Sequence, residues 1–119
     1  VAWNVDKELF ENAWHEMAGV VHRTSISKGW WEDCVPGTKD ILYRIALIHS
    51  ELGEGTEYTR KGNPPSEHIP TYSGLEEEFA DVVIRIMDIA MWYGMDVEGA
   101  IASKVDFNRT RPYKHGKEA

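Results

Sequence analysis

Apolar residues recur along this chain at helical rather than strand spacing. Phe10, Trp14, Met17 and Val21 mark one face and predict a helix from about Lys7 to Ile26. The stretch "SKGWWEDCVPGT" breaks that pattern with Gly29, Pro36 and Gly37 and reads as a loop. A second helix is expected from Thr38, as N-cap, to about Thr59. Ile41, Ile45, Ile48 and Leu52 form its stripe, and Leu42 and Leu47 widen it, so this helix is predicted to be buried on most sides. The proline-rich "RKGNPPSEHIPTYSG" is the longest connector and excludes regular structure. Ser73 and Glu76 then have the spacing of a capping box, opening a third helix from Gly74 to about Tyr93. Phe79, Val83, Ile86 and Ala90 run down one side of it, and Gly94 ends it. A fourth helix begins near Asp96 and turns Val97, Ala100, Ile101 and Val105 inward, before Pro112 stops it in a basic tail. The expected fold is all-α: one domain over residues 1–119, a four-helix bundle-like chain.

Composition narrows the function. A chain of 119 residues with 42% hydrophobic content can form one domain with a core. No apolar run reaches the length of a membrane span, so no membrane partner is expected. The opening "VAWNVDKELFENAW" lacks the basic and apolar regions of a signal peptide. Cys34 stands alone, which rules out an internal disulfide and fits a reducing cytoplasm. A net charge of −7 argues against gripping a nucleic acid polymer by phosphate neutralisation. It leaves room for a small anion held through a cation.

The polar positions carry the chemistry. On the second helix, Tyr43, Leu47, Glu51, Glu54 and Tyr58 share a line, and on the third so do Glu78, Asp81, Arg85, Asp88 and Trp92. The pattern is Glu-x-x-Glu, a spacer, then Glu-x-x-Asp. Taken singly, each line reads as a solvated face, with Arg85 pairing along it to Asp81 and Asp88. Taken together, four facing carboxylates repel one another unless a cation sits between them. Hard Mg²⁺ or Mn²⁺ is the expected ion, because it prefers oxygen ligands and takes substrate phosphates as further ones. A di-iron bundle would need Glu-x-x-His, and no Glu here has a His three positions later. On the fourth helix Lys104, Asn108 and Arg111 share a face, with Lys114, His115 and Lys117 following. That face is either a cationic helix end favoured by the macrodipole or a clamp for phosphate. His15, His22 and His49 have no paired spacing that points to a ligand set.

At these residues the chain resembles the MazG-like branch of the all-α nucleotide pyrophosphohydrolases. The motif stands here as "ELGE" (51–54) and "EFAD" (78–81), within "ALIHSELGE" and "EEEFADVVIRIMD", together with "GWW" at 29–31 and "KVDFNRTRPYKHGK" at 104–117. The resemblance implies Mg²⁺-dependent hydrolysis of a (deoxy)nucleoside triphosphate to the monophosphate and pyrophosphate, as nucleotide-pool house-cleaning. Glu51, Glu54, Glu78 and Asp81 would be metal ligands, with Glu51 or Glu54 activating water. Lys104, Asn108 and Arg111 would hold phosphate, and Trp30 and Trp31 would stack on the base, the plain alternative being one core and one surface tryptophan. It also implies a homo-oligomer, dimer or tetramer, whose site borrows from a neighbour. A non-catalytic helical module that binds nucleotide or protein through the same surface is the alternative. Gly53 and Gly55 depart from the Ser or Ala common in such sequences, and each costs about 1 kcal/mol in a helix interior.

Overall fold

The computed structural model describes residues 5–116, with side chains to residue 114. Lys117, the side chain of His115 and the first four residues of the chain lie outside that description. Four helices carry the chain: α1 (Lys7–Ser27), α2 (Thr38–Arg60), α3 (Gly74–Tyr93) and α4 (Val97–Arg109), followed by a short turn at Tyr113–Gly116. Among the described residues there is no strand, only an isolated bridge between Pro65 and Ser73. The fold is all-α with four helices. None of them is long and apolar enough to cross a membrane.

Side chains cap three of the four helix starts, the Ser73–Glu76 box among them as expected. Asp6 accepts from the Leu9 amide, Asp96 accepts from the Gly99 amide, and Ser73 and Glu76 form the capping box in both directions. Gly94 closes α3 in the left-handed conformation, φ 68°, which glycine reaches without strain. The second helix differs. Thr38 is its first residue rather than its cap; Gly37 holds the cap position at φ 144° with no side-chain bond. Tyr93 does the fastening there instead, accepting from the Gly37 amide and donating to Asp40.

α3 is the centre of the arrangement. It runs antiparallel to α2, with Tyr93 meeting Asp40 at one end and Leu75 meeting Gly55 at the other. On its other side it runs antiparallel to α1, with Ser25 and His22 both bonded to Asp88. α4 folds back along the N-terminal half of α1, tied by His15 to Glu98 and by Lys7 to Asp106. The layers stay open. The prediction that α2 is buried on most sides is corrected: Leu42, Tyr43, Ile45 and Leu52 are exposed, because α3 is the helix that packs extensively on α2. The radius of gyration is 16.8 Å, against about 13.5 Å for a compact domain of this length. Accessible surface is 8630 Å², about 2,000 Å² more than the size relation for folded monomers gives.

Candidate functional site

Glycine sets the geometry where α2 meets α3. A Cβ on Gly55 would lie 3.1 Å from Leu75 Cδ1 and 3.6 Å from Glu78 Cβ, so this residue lets the two helices close on one another. Gly74 does the same for the Tyr58 ring, which occupies the place of a side chain there. Gly53 meets nothing within 4 Å. α2 continues through both glycines to Arg60 without a break.

That approach brings three carboxylates together. Glu51 from α2 and Glu78 and Asp81 from α3 each present an oxygen, all within 4.8 Å of one another. Glu78 is 7% exposed, and its Oε2 is buried without a hydrogen-bond partner. Burial raises the Glu78 pKa to about 8, helped by a hydrogen bond with Glu51 and by the charges of Glu51, Asp81 and Glu77. Burial and the same neighbouring acids, Glu51 and Glu77, also raise Asp81, against the opposing pull of Arg85 and His68. Such a group is at odds with itself. Once all three are ionised, acceptors face acceptors, and the buried Glu78 Oε2 has no partner.

Arg85 is the cation that answers this charge. It donates from Nε and Nη2 to Glu51 Oε1 at 3.0 and 2.8 Å, across helices rather than along α3 to Asp81 or Asp88. Both donors land on one oxygen, which leaves Glu51 Oε2 open to another partner. Glu54 is exposed and stands outside the three-carboxylate group. His49 is exposed as well. Glu77 turns away into the connector, where Ser66 and His68 donate to it and lower its pKa. Those bonds pin the proline-rich segment beside the start of α3.

A cavity of about 420 Å³ opens from the acidic group along the front of α3. Glu51 and Asp81 lie at one end, Ser25 and Asp88 also line it, and Val20 and Ile84 supply apolar wall. Trp30, 53% exposed, is its aromatic side. Trp31 does not join it. Its ring is 5% exposed, stacked on Trp92 at 4.5 Å, with the Arg44 guanidinium 3.3 Å from its other face. One tryptophan is thus packed in the core and the other lies on the surface, and the expectation that Trp31 stacks on a base is corrected, since it has no free face.

Asp88 lines the cavity and is bonded to three side chains. Its Oδ1 accepts from His22 Nδ1 at 2.7 Å and Trp31 Nε1 at 3.0 Å, and its Oδ2 accepts from Ser25 at 2.6 Å. Sequence reasoning placed Asp88 on the polar line of α3 but gave it none of these partners. They lie 57 to 66 positions away, beyond any local spacing.

Lys104, Asn108 and Arg111 are not brought to the acidic group. Lys104 and Asn108 are exposed, and Lys104 and Arg111 sit over the Phe107 ring. α4 runs beside α1 from His15 toward Lys7, whereas the cavity touches α1 between Val20 and Lys28. At 1.5 Å per residue, the Lys7 end lies some 20 Å or more along α1 from the cavity. The cations that do line the cavity are Lys28, Arg44 and Arg85.

Comparison with protein-family models, with curated proteins and with solved structures finds no match to the chain.

Proposed function

We propose that the protein is a divalent-metal-dependent hydrolase that splits a (deoxy)nucleoside triphosphate into the monophosphate and pyrophosphate, the activity implied by its MazG-like motifs. The observation that carries this reading is Glu78: a buried carboxylate oxygen with no partner, facing two more carboxylates. A hard cation removes the repulsion and satisfies the orphaned acceptor together. Glu51, Glu78 and Asp81 fit such an ion, with Mg²⁺ preferred and Mn²⁺ its nearest substitute. Bound there, the ion would polarise the phosphoanhydride and offset charge in the transition state. Arg85 orients Glu51, which lines the cavity and is the carboxylate that accepts a proton from water in this reading. Trp30 and the apolar wall receive the base, and Lys28 stands at the cavity edge as a cation for phosphate.

The protein works as a homo-oligomer. Its excess surface, about 2,000 Å² over a compact monomer, is of the size that an obligate dimer covers. Exposed Leu42, Ile45, Leu52, Phe79 and Val83 supply apolar area for that contact. A second copy would also supply the Lys104, Asn108 and Arg111 face that the chain cannot bring to its own site.

The test is a panel of nucleoside triphosphates incubated with Mg²⁺, with the products identified. Pyrophosphate and monophosphate are expected, with activity falling roughly 100-fold or more in Glu78→Gln and Asp81→Asn. Orthophosphate release, or full activity in both variants, sinks the reading. Nucleotide binding without turnover moves the assignment to a binding module.

A further inference from the structure

The cavity has a chemical polarity along its length that points to the kind of base it accepts. From Asp81 to Asp88 is seven residues of one helix, a rise of about 10 Å. That is close to the span from the α-phosphate to the far edge of the base in an extended nucleotide. With the phosphates at the Asp81 end and the ring beside Trp30, the edge of the base arrives at Asp88.

Asp88 can only accept there. An ionised carboxylate offers about four acceptor positions. His22 and Trp31 take two on Oδ1 and Ser25 takes one on Oδ2, so the remaining position belongs to Oδ2. The three donors fix the carboxylate in place. Trp31 is itself held between Trp92 and Arg44, so the group cannot turn to suit a different base. A single rigid acceptor suits an amine N–H and is repelled by a carbonyl oxygen. This is the pairing by which Asp and Glu read the cytosine amine in nucleic acids.

Resting on the nucleotide reading of this site, we infer that Asp88 is a specificity-determining residue that selects bases with an amine at the cytosine N4 or adenine N6 position of the Watson–Crick edge. Cytosine and adenine meet that condition. Uracil, thymine, guanine and hypoxanthine carry a carbonyl at the same position and are rejected.

Two ligands differing at that edge make the test: cytidine and uridine 5′-monophosphate, ribo and deoxyribo, titrated calorimetrically into the full chain with Mg²⁺ present. Cytidine monophosphate should bind roughly 10-fold or more tighter than its uridine partner. In Asp88→Asn the carbonyl can keep the bonds from His22 and Trp31 while the amide nitrogen takes the place of Oδ2. The preference should then vanish or reverse toward uridine. Ribose 5-phosphate, which has no base, should bind both proteins alike. Equal affinity of the wild-type protein for the two monophosphates overturns the inference, and that comparison does not depend on the variant folding. An unchanged preference in a folded Asp88→Asn protein overturns it too. Absence of binding by any nucleotide overturns both this inference and the proposed function, whereas hydrolysis without discrimination overturns this inference alone.

Discussion

Two carboxylates on α3, Asp88 half-buried and Glu78 buried, have opposite surroundings. Asp88 accepts from three side chains, which hold its carboxylate in place. Glu78, ten positions earlier, has an oxygen with no partner and two acids for neighbours. A folded chain tolerates the first arrangement by itself, because the donors replace the lost hydration of the charge. The second arrangement is costly unless something outside the chain completes it. Asp88 thus reads as architecture that also faces a cavity, and Glu78 as a group that awaits a ligand.

Removing each carboxylate should separate the two most sharply. Asp88→Ala leaves three donors without their acceptor, Trp31 buried and His22 and Ser25 half-buried, and urea unfolding should register a loss of about 2 kcal/mol or more. Glu78→Gln in metal-free protein should instead cost little near neutral pH, where Glu78 already holds a proton toward Glu51, and should raise stability above pH 8, where the substitution removes a buried like charge. A Glu78→Gln loss as large as that of Asp88→Ala would erase the contrast.

The pH dependence carries the same contrast with a definite sign. The folded Glu78 pKa, about 8, lies above its ordinary value of 4.5, so the folded state holds a proton that the unfolded state releases. Its contribution is fully present below pH 4.5 and is lost as pH rises through 8. The Tm of metal-free protein should therefore fall across that interval, and Glu78→Gln should flatten the fall. A Tm that climbs through that interval and ignores the substitution would contradict the assignment.

A smaller effect distinguishes the two glycines of α2. Gly55→Ala pushes a methyl group toward Leu75 and should cost about 1 kcal/mol while loosening the acidic group. Gly53→Ala meets open space in mid-helix and should gain up to about 1 kcal/mol. Equal effects at the two positions would show that the close approach at Gly55 matters less than its geometry indicates.

These residues also mark what could be read from the chain. Helix positions were legible because apolar spacing, the Ser73–Glu76 box and Gly94 are local signals. Glu51, Glu78 and Asp81 were legible as a pattern of acids on two faces. Which acids meet was not, since Glu54 shares the line with Glu51 yet points to solvent, and the rotation of α2 on α3 depends on Gly55 packing against Leu75. Arg85 looked like a partner for acids on its own helix, and its bond to Glu51 is tertiary. The split between Trp30 and Trp31 had no sequence signal, because Trp92 and Arg44 enclose Trp31 from two other elements.

Metal binding tests the central claim most directly. Mn²⁺ or Mg²⁺ titrated into metal-free protein at pH 7 should raise the Tm, with stabilisation near 2.7 kcal/mol once free ion reaches about 100 times Kd. Glu78→Gln and Asp81→Asn should abolish most of that rise. A Tm that stays constant through millimolar ion, or rises equally in both variants, would contradict a metal centre built on Glu51, Glu78 and Asp81.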